Sequence, residues 1–265
     1  MVAPPERFGV LVGVAYDGTD FSGWAAQPVG RTVSDALAGA IKKLDPKASL
    51  PRGVSRTDAG VHAEGQVAAF DASLAIPPRG WVLALNQHLP DDACVRWARA
   101  VPPEYNPRFS ARWKRYRYRV LLDRIRDPLL RHRAWRLGWA IDLARLEREK
   151  NALLGTHDFA AFRSSHDARN DTVRTVTSCD VGYELGGRIV SIVISGNAFL
   201  YNMVRIVVGT LMDVARGHLE EGTIQRALVT KQRRDAGMTA PALGLTLEHV
   251  ELESPEGVGE PWPPR

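Results

Sequence analysis

Gly53 to Phe70 read GVSRTDAGVHAEGQVAAF. An arginine, a carboxylate and a histidine (Arg56, Asp58, His62) sit on a segment punctuated by Gly53, Gly60 and Gly65. Val67 to Phe70 form a short apolar run that predicts a buried strand. Glycine permits backbone turns that other residues resist, so Asp58-Ala59-Gly60 predicts a tight turn leading into that strand. Loops carried by rigid elements are where catalytic groups concentrate, which makes Asp58 the first candidate. Aspartate two residues before glycine is also ordinary turn chemistry, so the loop alone does not decide its own role. His62, a lone loop histidine, reads as solvated and is given none.

The chain of 265 residues is long enough to bury a sizeable core in one large or two small domains. It contains no run of about 18 apolar residues, so no membrane span is expected. The start, MVAPPERFGV, places Glu6 and Arg7 where a signal peptide would need an apolar run, and a cytoplasmic location is expected. Cys94 and Cys179 lack metal-ligand spacing; they could pair only if the fold brings them together, and they read as free buried thiols in a reducing compartment. No GxxxxGK[ST], HExxH or paired CxxC occurs, so no nucleotide cofactor and no metal is expected.

The net charge of +5 comes from 29 arginines and 6 lysines against 30 acidic residues. Arg108 to Arg136 hold ten arginines and Lys114 against only Asp123 and Asp127, a local +9, so the remainder sums to −4. Beside Trp113, Tyr116 and Tyr118, such a concentration supplies what a nucleic-acid surface needs: cations for phosphates and π-faces for unstacked bases. The bland reading is a solvated edge strand with charges on its outer face.

In order, Phe8 to Ala15 predict a strand closed by the turn Tyr16-Asp17-Gly18. Thr32 or Ser34 would cap a helix to about Leu44, ended by Asp45-Pro46. Trp81 to Leu89 predict a helix, Cys94 to Val101 a strand, and Pro102-Pro103 a domain seam. Beyond it, Tyr116 to Leu122 alternate as a strand with Tyr116, Tyr118 and Val120 on one face. Leu143 to Leu154 predict a helix, and Val173 to Val181 with Arg188 to Ser195 an antiparallel pair turning at Gly186-Gly187. Ala198 to Ala215 form the longest helical candidate, with Leu200, Val204, Val207, Leu211 and Val214 as its apolar stripe and Arg205 well off it. A short helix over Thr223 to Thr230 and a strand over Leu245 to Val250 follow. The expected architecture is α+β, in two sheet-and-helix halves with mainly antiparallel sheets. Residues 1–103 would carry the Asp58 loop, 104–253 the basic segment and Arg205, and 254–265 a flexible tail rich in Pro and Gly.

Arg56-Thr57-Asp58-Ala59-Gly60-Val61-His62-Ala63 closely resembles the active-site loop of the tRNA pseudouridine synthase A family. Further blocks resemble the same family in the same order: Tyr16 to Trp24, Phe109-Ser110-Ala111 with Arg115 to Tyr118, Gly155 to Phe159, Asn197 to Leu200 with Met203-Val204-Arg205, and Ala240 to Leu245. Ala25-Ala26-Gln27 depart from it, since a glutamine is expected directly after Trp24. The resemblance implies the pseudouridine synthase fold with its active-site cleft between the two halves, and an isomerase that needs no cofactor. It implies a substrate in the tRNA anticodon stem-loop, at positions 38, 39 and 40, bound across a homodimer.

Residue by residue, Asp58 matches the catalytic aspartate and Arg205 the cation that keeps it ionised in a partly dry site. At about 4 Å and an effective dielectric near 20, such a pair attracts by roughly 4 kcal/mol before desolvation. Tyr116 matches the tyrosine that stacks on the uracil, Arg56 the residue that fills the space left by the extruded base, and Leu245 an apolar wall. Apart from the resemblance, these three read as a core tyrosine, a surface arginine and a core leucine. The alternatives are a synthase acting on another RNA uridine and a non-catalytic RNA-binding protein.

Overall fold

The computed structural model describes residues 7–165, 167, 170–253 and 258–263. Residues 1–6, at the start of the chain, and residues 254–257 and 264–265 of the expected tail lie outside the described residues. The chain divides into two compact units, Met1–Arg112 with Leu247–Arg265, and Trp113–Thr246. In chain order the first elements are β1 (Phe8–Tyr16), α1 (Val33–Leu44), β2 (Arg52–Gly53), β3 (His62–Ala72), α2 (Pro78–Asn86) and β4 (Ala93–Val101). Next come β5 (Ala111–Leu121), β6 (Trp135–Arg136), α3 (Leu143–Lys150), β7 (Gly155–Asp158), β8 (Val173–Glu184) and β9 (Ile189–Gly196). The last are α4 (Met203–Ala215), α5 (Thr223–Thr230) and β10 (Leu245–Leu252).

In the first unit the strands lie in the order β4-β1-β3, with β10 beside β3 and the short β2 also on β3. β1 lies between β3 and β4, antiparallel to both, and its apolar run is buried along almost its whole length. α1 follows from its caps. Thr32 Oγ1 accepts from the Asp35 N–H at 3.1 Å, Asp35 sits in the first turn, and Lys42 and Lys43 sit in the last. Residues Gly259 and Trp262, expected in a loose tail, instead bond along β4: the Ala98 and Trp262 peptides exchange bonds of 3.0 and 2.8 Å. They occupy peptide groups that β4 would otherwise leave unpaired.

In the second unit β5, β9, β8 and β7 form an antiparallel ladder, and β6 pairs parallel with the end of β5. The alternation in β5 reads directly as burial: Tyr116, Tyr118 and Val120 are buried while Arg115, Arg117 and Arg119 are not. The β8–β9 turn runs through Leu185, Gly186 and Gly187 at φ 50°, 67° and 88°. α3 and α5 pack on α4. α4 begins at Met203, not at Ala198 as the periodicity predicts, because Asn202 takes a left-handed φ of 61° and breaks the helix there. It is also not amphipathic. Of its 13 residues only Arg205 escapes burial, so the stripe seen in sequence is part of a wholly encased helix.

Candidate active site

The loop bearing Asp58 belongs to the first unit and is tied down on both sides of that residue. Gln66 on β3 brackets the Ser55 peptide, accepting its N–H at 3.2 Å and donating to its carbonyl at 2.7 Å. The Thr57 hydroxyl lies 2.7 Å from the Tyr16 hydroxyl, and both are buried. The Thr57 carbonyl accepts from Trp24 N–H at 3.1 Å, and the Gly60 N–H donates to the Phe21 carbonyl at 3.2 Å. The Val61 N–H closes the turn onto the Asp58 carbonyl at 3.1 Å. Asp58 itself is half-buried, and Arg56, two residues earlier, is exposed.

Two glycines are obligatory here. Gly60 has a φ of 78°, and Gly23 a φ of 96° in a place where a side chain would strike the Thr57 carbonyl. His62 corrects the reading of a solvated histidine, since it is only 2% exposed. Its Nδ1 lies 3.0 Å from the Gly18 nitrogen and 3.0 Å from Asp17 Oδ1, stapling the turn after β1 to the start of β3. The displaced Gln27 still folds back, its side-chain amide donating to the Ser22 carbonyl.

The second unit holds Tyr116, Arg205 and Leu245. Tyr116 is buried on β5 and meets the Phe199 ring edge-on, at 5.2 Å and 84°. Phe199 lies in the irregular segment that leads into α4, three residues before Asn202. Arg205 leaves α4 half-buried and is clamped: Nε donates to the Ala240 carbonyl at 2.8 Å and Nη1 to Asn202 Oδ1 at 2.8 Å. The Ala240 N–H returns a bond to the Arg205 carbonyl at 3.0 Å.

That bond is one rung of a ladder joining residues 237–241 to α4 and β5. The Gly237 N–H donates to Thr210 Oγ1 at 2.8 Å, and the Met238 N–H to Asp213 Oδ2 at 3.1 Å. The Tyr118 hydroxyl donates to the Pro241 carbonyl at 2.7 Å. Burial pushes that phenol well above its ordinary value, against the nearby Arg205 charge, so it stays a protonated donor. Leu245, buried at the start of β10, follows the same segment. Arg205, Tyr118 and Leu245 are therefore all registered by one short stretch of chain.

The basic segment is partly neutralised by acids from elsewhere in sequence. Arg112 meets Glu253 at 2.7 Å, and Arg119 meets Glu184 at 3.0 Å. Asp123 and Asp127, its own two acids, are both taken by Arg188, at 2.6 and 2.9 Å. Arg115, Arg124, Arg126, Arg131 and Arg133 are exposed. Among the described residues no three His, Cys, Asp or Glu side chains gather as a metal ion would need. Cys94 and Cys179 are free thiols, and burial pushes the Cys179 thiol up to about 12, which leaves it a poor nucleophile.

A family model described as tRNA pseudouridine synthase matches residues 13–110 and 151–253. The chain belongs to the tRNA pseudouridine synthase family. Proteins named tRNA pseudouridine synthase A agree closely. That of Acetivibrio thermocellus is 43% identical over 89% of this chain and 96% of its own length. That of Shouchella clausii is 42% identical over 93% and 94%, and that of Halalkalibacterium halodurans 42% over 91% and 90%. Arg56, Asp58, Arg205 and Leu245 fall inside the matched residues. Tyr116 and nearly all of the basic segment fall in the gap between them.

The sequence assigns no such role to the residues that hold the loop and helix in place: Tyr16, Thr57, Gln66, His62, Asn202 and Tyr118. All but Asn202, whose partner is three residues along the chain, act through contacts distant in sequence.

Proposed function

We propose that the chain converts uridine to pseudouridine in the anticodon stem-loop of tRNA, at positions 38, 39 and 40, with Asp58 as the catalytic carboxylate. The observation that carries this is the half-buried Asp58 on a loop fixed by Tyr16, Trp24, Phe21 and Gln66 in a chain of this family. A stiff loop supports catalysis because a positioned group needs no reorganisation when the substrate arrives.

The reaction breaks the bond from the ribose C1′ to a ring nitrogen and makes one from C1′ to a ring carbon. The base gains and loses one proton, so atoms and electrons balance with no oxidant or reductant. Asp58 serves as the ionised group beside the sugar, and Arg205 is the cation that keeps it ionised. Tyr116 stacks on the uracil, Arg56 fills the space the base vacates, and Leu245 supplies an apolar wall. Extruding the base costs a few kcal/mol, which the stacking and phosphate contacts offset. The protein works as a cytoplasmic homodimer.

Mass spectrometry of tRNA from a strain lacking this chain tests the assignment. Uridine at positions 38, 39 and 40 is the expected result. Pseudouridine retained there, with its loss at another RNA site, would reassign the substrate and leave the chemistry.

A further inference from the structure

Arg205 is the only residue of α4 that is not buried, and the way it is held is unusual for a helix start. Asn202 occupies the N-cap position, where its side chain would ordinarily accept a backbone N–H of the first turn. It makes no such bond. Its Oδ1 accepts instead from Arg205 Nη1 at 2.8 Å, while its own backbone sits at φ 61°. Left-handed conformations at residues other than glycine cost energy and collect where a side chain must be aimed. The second constraint on the same guanidinium is the Ala240 carbonyl, 2.8 Å from Nε. That carbonyl is itself set by the Ala240 N–H bond to the Arg205 carbonyl and by the neighbouring bond from Tyr118 to Pro241. A planar guanidinium gripped at Nε and at one Nη has its plane and its direction fixed together.

We infer that Asn202 is a positioning residue for the reaction: it gives up the helix cap to aim Arg205. The inference rests on Arg205 being the cation of the active site and adds what orients it. Asn202 acts through Arg205 and is not assigned a contact with RNA, so its removal falls on kcat and not on KM. Mis-aiming a catalytic group by about 1 Å can cost on the order of 100-fold.

The test uses Asn202→Gly, Asn202→Asp and Arg205→Ala in the full-length protein with unmodified tRNA. Glycine accepts φ 61° without strain, so Asn202→Gly should keep or raise the thermal midpoint. It should nevertheless lower kcat by about 10- to 100-fold, leave KM within about twofold, and move the acidic limb of the pH–rate profile to higher pH. Asn202→Asp keeps an acceptor for Nη1 and should recover most of kcat. Wild-type kcat and pH profile in Asn202→Gly would overturn the inference, as would a loss of kcat that Asn202→Asp shares in full. An active Arg205→Ala would overturn the underlying assignment of Arg205. An inactive Arg205→Ala beside a fully active Asn202→Gly would remove only the role of Asn202.

Discussion

The hydroxyls of Tyr16 and Thr57 lie 2.7 Å apart, out of solvent and 41 residues apart in sequence. Thr57 immediately precedes Asp58, so the end of β1 sets the loop at the position next to the carboxylate. Gln66 Nε2, 3.5 Å from the same Tyr16 oxygen and bonded to Ser55, ties β3 into the arrangement. Tyr16→Phe removes one oxygen and leaves the Thr57 hydroxyl buried without that partner, at a cost of about 1–2 kcal/mol. The expected outcome is a roughly tenfold fall in single-turnover rate with tRNA affinity within about twofold. A wild-type rate with the same loss of stability would show that the pair supports the fold and not the carboxylate.

The fold was readable in sequence wherever one local signal sufficed. The Thr32–Asp35 cap, the alternation of β5 and the Gly186-Gly187 turn each lie within a few residues of the structure they specify. What failed was longer in range. α4 reads as amphipathic because its stripe is apolar, yet its other faces are covered too, by neighbours the stripe cannot reveal. Trp262 reads as tail because Pro and Gly surround it, while its pairing with Ala98 depends on β4 offering unpaired peptides. The candidate site divides the same way. Asp58 and Arg205 come from motifs, whereas Ala240 and Tyr118 become visible only once the chain has folded over α4, and Asn202 only once its left-handed backbone turns its side chain to Arg205.

Asp71 on β3 ties three parts of the first unit together, through Arg52 Nη1 at 2.7 Å, the Glu104 N–H at 2.7 Å and the Ser49 hydroxyl. Burial alone would raise its pKa, but the bonds from Arg52 and Glu104 outweigh that and hold it below the ordinary 3.8. A depressed carboxylate adds stability that is complete above its unfolded value and is lost as pH falls through the lower folded one. Asp71→Asn should therefore cost about 1–2 kcal/mol at neutral pH, with the gap to wild type closing as pH falls below the unfolded value. Denaturant unfolding of both proteins across that range checks it, and a gap that widens in acid would contradict it.

Binding to tRNA should weaken steeply with salt, because each neutralised phosphate releases counterions. Arg119 is half-buried and held by Glu184, whereas Arg115 is exposed on the same strand, its guanidinium 5.9 Å from the centre of the Trp113 ring. Arg115→Glu should lower the slope of log K against log salt by about 1, and Arg119→Glu should change it less. An unchanged slope for Arg115→Glu would move the phosphate contact off β5.

On the proposed function, Asp58 is the group without which the reaction does not run. Asp58→Asn removes a charge and almost no volume from a loop whose other bonds remain, so fold and tRNA affinity should persist. Pseudouridine formed on tRNA by the purified variant, quantified by mass spectrometry under single-turnover conditions, is the direct measurement. None above background is expected, with the melting temperature and tRNA dissociation constant close to wild type. Turnover within about tenfold of wild type would contradict it.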